Sequence, residues 1–152
     1  MKICLACTHG GHFVEMQRLL DVFKVHDYFF VTYASESTSG TPNSYLLKYS
    51  DNINALRNKL MLVRTFYDAI KIILKERPNV IVTTGGGEIA VPFCYIGKLF
   101  GAKIIFIETL ARIHEPSGGG RFIYPIADLF LVQWRSLLKV YGKKAKYWGN
   151  VI

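Results

Sequence analysis

A histidine, two glycine-rich turns and three carboxylates have the types and spacing to act on an anionic, hydroxyl-bearing substrate. The first turn is Cys7-Thr8-His9-Gly10-Gly11-His12, directly after the apolar run Ile3-Cys4-Leu5-Ala6. The second is Thr83-Thr84-Gly85-Gly86-Gly87-Glu88, after Val80-Ile81-Val82. Glycine lets a ligand approach the backbone closely, and a helix that follows aims its free amides and positive dipole end at that ligand. Together the turns predict a cleft for an anion, most simply a diphosphate. Each also has a plainer reading as a tight turn with no ligand. The first is not the dinucleotide fingerprint, which needs a different glycine spacing and an acid at the end of the second strand, where Glu36 is only loosely placed.

His12 falls in the first turn of its helix, where it either meets an anion, acts as a general base, or simply caps and packs. Glu15, three residues on along the same face, is placed to orient His12 or to complement the dipole. Glu88 suits the dipole but repels a phosphate on the same amides, so a sugar hydroxyl or a partner is its expected contact. Glu108 follows the run Ile104-Ile105-Phe106-Ile107 and is expected either in the site or holding the next loop. Beyond it, Arg112, His114, Ser117, Gly118, Gly119, Gly120 and Arg121 are expected to form a flexible cationic loop able to close over a phosphate.

The elements that must position these residues alternate. Strands are expected at Lys2–Ala6, Tyr28–Tyr33, Asn79–Thr84, Lys103–Ile107, Leu129–Val132 and Ala145–Trp148. Helices are expected at Gly11–Phe23, Asn54–Arg77 (with a possible break), Glu88–Phe100, Arg121–Ala127 and Arg135–Tyr141. Pro92 is expected in a first helical turn, where proline is tolerated. The Ser-, Asn- and Pro-rich stretch Ser35–Asp51 reads as a long loop, as does Arg112–Gly120. Such alternation implies an α/β fold with a doubly wound parallel sheet. Ligands of these sheets bind beyond the carboxyl ends of the strands, where both turns and Glu108 fall.

A chain of 152 residues with 51% hydrophobic and 14% aromatic content fits one globular domain over 1–152. Its formal charge of +8 favours anionic partners. The cations are spread along the chain, with no dense arginine cluster or recognition motif, so nucleic acid is not expected. Cys4 and Cys7 have metal or redox spacing, but strand alternation puts them on opposite faces and no second pair completes a zinc site. Buried thiols and no metal are expected. The apolar stretch from Ile89 to Leu110 is interrupted by Lys98, Lys103 and Glu108, and reads as a helix followed by a buried strand. The segment from Leu56 to Tyr67 mixes apolar and basic residues. It is either a core helix with solvated charges or an interfacial segment on anionic lipid, with Arg57, Lys59, Leu60, Arg64 and Phe66 as its contacts.

Gly10-Gly11-His12, Thr84-Gly85-Gly86-Gly87-Glu88, Ile107-Glu108-Thr109 and Ala127-Asp128-Leu129-Phe130-Leu131-Val132-Gln133-Trp134 together carry a family likeness across nearly the whole chain. The chain resembles the acceptor-side subunit of the two-subunit N-acetylglucosaminyltransferase of asparagine-linked glycosylation. It also resembles that subunit's PssD-type relatives in capsule and exopolysaccharide synthesis, and more distantly the lipid II-forming transferase. The resemblance implies a Rossmann-like domain equivalent to the N-terminal half of a GT-B glycosyltransferase, inactive alone and needing no metal or other cofactor. It implies that Gly10, Gly11, Gly85, Gly86, Gly87, Arg112 and Arg121 face a lipid-linked diphosphate sugar acceptor, with Glu15 and Glu88 beside the acceptor or a partner. His12 becomes the candidate base, with Glu108 a second catalytic candidate. A separate donor subunit, carrying the nucleotide-sugar site, docks near Trp148, Val151 and Ile152. The expected location is cytoplasmic, on the inner membrane face without a spanning anchor. Family members often carry proline after the Gln-Trp pair, where Arg135 stands here, and the loop at Ser117-Gly118-Gly119-Gly120 departs from the family pattern. The rival reading is a self-contained small nucleotide- or sugar-nucleotide-binding α/β protein.

Overall fold

The strands are runs of Val, Ile, Phe and Tyr buried on both faces, as a parallel sheet covered by helices on each side requires. The computed structural model describes residues 1–49 and 55–151. In chain order the elements are β1 (Lys2–Cys7), α1 (Gly11–Arg18), α2 (Leu20–Phe23), β2 (Asp27–Tyr33), β3 (Ser44–Leu47) and α3 (Ala55–Glu76). Then come β4 (Val80–Gly85), α4 (Gly87–Leu99), β5 (Lys103–Ile107), α5 (Gly118–Ile123), β6 (Leu129–Val132), α6 (Ser136–Tyr141) and β7 (Ala145–Tyr147).

The sheet order is β3-β2-β1-β4-β5-β6-β7, with every adjacent pair parallel. The chain winds outward from β1 to β3, returns through α3 to β4 on the other side of β1, and winds outward again. This is the expected Rossmann-like, doubly wound sheet. The reversal sets β1 beside β4, and crevices at such a switch point are where these sheets take ligands. Both glycine turns leave the carboxyl ends of those two strands.

One sheet face packs Cys4, Phe29, Val31, Ile81 and Phe106 against Ala69 and Ile73 of α3 and Ala90 and Phe93 of α4. The other packs Ile3, Leu5, Cys7 and Val82 under Phe13 and Met16 of α1. Cys4 and Cys7 therefore do lie on opposite faces, and burial pushes the Cys7 thiol up to about 12. The stretch beginning at Ile89 is, as expected, a helix followed by a buried strand.

Several expectations need correction. The stretch read as one long loop contains β3, whose Tyr45 and Leu47 pair with Val31 and Tyr33; four strand residues among turn formers give little periodic signal. Residues 50 and 51 of that stretch, and Asn54, lie outside the described residues. The first helix splits where the Leu19 amide turns to the carbonyl of Met16, three residues back. Helix α3 is unbroken from Ala55 to Glu76. Pro92 sits in the second turn of α4, not the first, and denies the Glu88 carbonyl its intrahelical partner. The glycine-rich loop instead starts a helix at Gly118, capped by the Ser117 hydroxyl, which accepts from the Gly120 amide at 2.9 Å. Glycine's poor helix propensity conceals that start in the sequence.

Candidate functional site

The two glycine turns clasp each other. His12 Nδ1 lies 2.8 Å from the Thr84 carbonyl oxygen, and the Thr84 hydroxyl donates to the His12 carbonyl at 2.7 Å. A carbonyl only accepts, so Nδ1 carries the proton and the neutral ring keeps its lone pair on Nε2. The His12 ring lies over Gly85, where a Cβ would stand 2.8 Å from its Cε1. Gly86 has φ +80, and a Cβ there would collide with the Thr8 side chain. Both glycines are thus required by the packing of one turn on the other.

Beside this clasp opens a cleft of about 670 Å³. One edge is bare backbone: Gly86 and Gly87 at the start of α4, with Gly118 and Gly119 at the start of α5. The two helix starts touch, since a Cβ on Gly119 would lie 3.2 Å from Gly87 Cα. The apolar part of the lining is Leu62 and Phe66 of α3, Val91 of α4 and Phe122 of α5. Thr8, His9, Tyr49 and Glu88 complete the lining.

Of the residues expected to face a diphosphate, Gly86 and Gly87 line this cleft. Gly85 is buried beneath the His12 ring, and Gly10 and Gly11 lie exposed at the start of α1, outside the lining. Arg112 and Arg121 are exposed and also outside it. Glu88 is exposed in the first turn of α4 and does line it.

The other two carboxylates are internal braces: Glu108 takes the loop-holding one of its two expected roles, and Glu15 does not orient His12. Glu15, only 8% exposed, accepts from the Thr109 hydroxyl at 2.7 Å, the Leu110 amide at 3.2 Å and Gln133 Nε2 at 3.0 Å. It does not hold His12, and its carboxylate is turned to the end of β5 rather than to an acceptor. Glu108 is wholly buried. It accepts from the Thr109 amide at 3.0 Å, the Ser117 amide at 3.1 Å, the Ser117 hydroxyl at 3.0 Å and the Tyr141 hydroxyl. Burial, then the Glu108 carboxylate, push the Tyr141 hydroxyl far up, so it stays a donor. Glu108 holds the loop that leads into α5, and is not a catalytic group reachable from the cleft.

Helix α3 follows β3, so its amino-terminal half stands at the cleft edge of the sheet. Among the described side chains from Leu56 to Arg64, only Met61 is even half-buried. Arg57, Lys59, Leu60 and Arg64 are exposed there, whereas Phe66 turns into the cleft instead of outward. Leu56, Leu60, Val63, Tyr67, Ile70 and Leu74 form an exposed stripe at alternating spacings of four and three. No helix among the described residues is long and apolar enough to cross a membrane.

At the other end of the sheet edge, Trp148 is 68% exposed. Val151 is tied down: its amide donates to Gln133 Oε1 at 2.7 Å, and Gln133 Nε2 donates to the Glu108 carbonyl at 2.9 Å. Ile152 lies outside the described residues. His9, Tyr49, Val91 and Phe122 are site residues that the sequence reading did not single out. Only His9, inside the first turn, carried a local signal.

The family described as "Oligosaccharide biosynthesis protein Alg14 like" matches residues 3–151. The chain is 33% identical over 173 residues to the UDP-N-acetylglucosamine transferase subunit ALG14 of Candida albicans, covering 99% of this chain and 78% of that protein. It is 23% identical to the mouse protein of the same name, covering 100% of this chain and 83% of that one. In fold it is similar to MurG of Acinetobacter baumannii, with a TM-score of 0.74 at 9% identity, over 98% of this chain and 45% of that chain. It is also similar to the UDP-GlcNAc 2-epimerase of Neisseria meningitidis, with a TM-score of 0.76 at 11% identity, over 99% and 47%. The chain thus spans somewhat less than half the length of these solved neighbours. With the family matched along almost the whole chain, this protein belongs to the Alg14-like family of oligosaccharide biosynthesis proteins.

Proposed function

We propose that this chain is the acceptor-side subunit of a two-chain UDP-N-acetylglucosamine transferase. The relatives named as subunits of that transferase support the reaction and the need for a second chain. The observation that carries the acceptor role is the cleft itself, which combines the bare amino terminus of α4 with an apolar lining. That pairing suits an amphiphile with an anionic head, such as a polyprenyl-diphosphate-linked sugar, which serves glycan, capsule and exopolysaccharide assembly alike.

In this reading the α4 amides at Gly86 and Gly87 receive the diphosphate. His12, whose ring lies over Gly85 next to the cleft's Gly86 edge and not among the cleft-lining residues, takes the proton of the attacking acceptor hydroxyl at Nε2, while Nδ1–H stays on the Thr84 carbonyl and fixes the ring. The amino-terminal half of α3 lies on an anionic membrane surface through Arg57, Lys59, Leu60 and Arg64. Trp148 and Val151 dock the partner that holds the nucleotide sugar, and no metal ion takes part.

Reconstitution with the partner chain, UDP-N-acetylglucosamine and a polyprenyl-diphosphate sugar tests this. Transfer should require both chains. Absence of transfer under any pairing, or tight binding of UDP-sugars by this chain alone, overturns the reading in favour of a small self-contained sugar-nucleotide-binding protein.

A further inference from the structure

We propose that His9 and Tyr49 form the platform for the acceptor's sugar ring, with Glu88 accepting from its hydroxyls. The inference rests on the reading of the cleft as a lipid-diphosphate site and adds where the sugar lies within it.

The cleft's lining is chemically divided. Leu62, Phe66, Val91 and Phe122 offer only hydrocarbon. The corner made by His9 and Tyr49 is aromatic and polar at once. Their ring centroids are 4.8 Å apart and their planes meet at 67°, so the two rings form a right-angled step and not a flat stack. Tyr33, 1% exposed, backs both rings, 5.0 Å from Tyr49 and 6.1 Å from His9, and keeps the step rigid. A pyranose has an apolar C–H face and a rim of hydroxyls, which fits an aromatic surface bordered by hydrogen-bonding groups.

Two further features favour a sugar over a lipid chain at this corner. His9 Nδ1 is buried and has no hydrogen-bond partner among the described residues. Buried polar atoms are normally satisfied, so this one is left for something that enters the cleft. Glu88 lines the same cleft from the first turn of α4, with no hydrogen bond or ion pair from its carboxylate among the described residues. A carboxylate there repels a second anion and has nothing to offer hydrocarbon, but accepts from hydroxyl or amide hydrogens. It therefore sets the neutral, hydroxyl-bearing part of the acceptor beside Tyr49.

Calorimetry on the full chain with two probes tests this: geranylgeranyl diphosphate, and geranylgeranyl diphosphate carrying one N-acetylglucosamine. The sugar should tighten binding about tenfold, within the range of one well-formed aromatic contact. In Tyr49→Ala and His9→Ala the ratio of the two affinities should fall to about one, while Tyr49→Phe keeps it. Tyr49 is 41% exposed, so its truncation leaves the core intact, which far-UV circular dichroism verifies. A wild-type ratio near one, or equal weakening of both probes by Tyr49→Ala, overturns the sugar platform and gives the corner to the lipid chain. Failure of both probes to bind overturns the lipid-diphosphate reading instead.

Discussion

His12 and Thr84 hold the two glycine turns together by a reciprocal pair of bonds, ring nitrogen to carbonyl and hydroxyl to carbonyl, across 72 residues of sequence. The pair makes His12 a strut through Nδ1, and the proposed mechanism adds a separable duty, a base through Nε2. Asparagine places an amide nitrogen near the position of Nδ1 but has nothing at Nε2. His12→Asn in the reconstituted complex should therefore keep its melting temperature while kcat falls about 10²–10⁴-fold, the usual loss of a general base. His12→Ala should lose both the strut and the rate. Near wild-type turnover by the asparagine variant places the base elsewhere.

The second glycine turn is a packing requirement as well as an edge of the cleft. At Gly86 a side chain meets left-handed backbone and the Thr8 side chain together. Gly86→Ala should cost about 2–3 kcal/mol in denaturant unfolding. Thr8→Ala in the same chain should recover part of it, because the two changes share one contact. Gly11→Ala, with nothing within 4 Å of the added carbon, should be close to neutral or slightly stabilising.

That contrast shows what was legible in the sequence. Six of the seven described strands and the switch point could be read, because β-branched runs and glycine turns are local signals. Which glycine does what could not, because Gly85 and Gly86 are explained by Thr8 and His12, far away in sequence. Glu108 stayed open between two roles for the same reason. An acid after a buried strand looks like a site residue until Ser117 and Tyr141 close around it. Tyr49 was invisible because its place depends on a four-residue edge strand, and α5 because three glycines begin it.

Glu76 ties three elements at the opposite end of the sheet, accepting from Lys2 Nζ of β1 at 2.8 Å and from the Tyr45 hydroxyl of β3. The Lys2 hydrogen bond first, and Tyr45 second, hold its carboxyl below the ordinary range. A lowered folded pKa means stability that is fully present above the unfolded value, about 4.3, and lost as pH falls through the folded one. Glu76→Gln should lower stability at neutral pH by about 1 kcal/mol, allowing for partial solvent screening. It should also flatten the acid limb of a stability–pH profile below about pH 4.3. An unchanged acid limb excludes this ion pair as a source of acid sensitivity.

Trp148 presents a large exposed aromatic surface just before a tail that Gln133 fixes through Val151. Truncated aromatic anchors at interfaces commonly cost about 2 kcal/mol or more. Trp148→Ala should weaken assembly with the donor subunit about 30-fold, measured by sedimentation or calorimetry, without changing the melting temperature of the isolated chain. Unaltered assembly moves the docking surface away from this tail.

The exposed stripe of α3 carries its cations along one border. Arg57, Arg64 and Lys71 follow Leu56, Val63 and Ile70 by one residue each, so charge and apolar surface run side by side for four turns. A helix of this kind lies in the plane of an anionic bilayer, with each cation near the surface contributing about 1 kcal/mol. The chain should co-float with vesicles containing phosphatidylserine and not with purely zwitterionic ones, and binding should weaken as salt shortens the screening length. Arg57→Glu, Lys59→Glu and Arg64→Glu together should abolish flotation. Leu60→Ser with Val63→Ser should weaken it while leaving the salt dependence in place, because those residues supply the inserted area and not the charge. These positions are exposed, so neither variant should disturb folding. Flotation that survives the triple charge reversal assigns the stripe to a protein partner instead of a membrane.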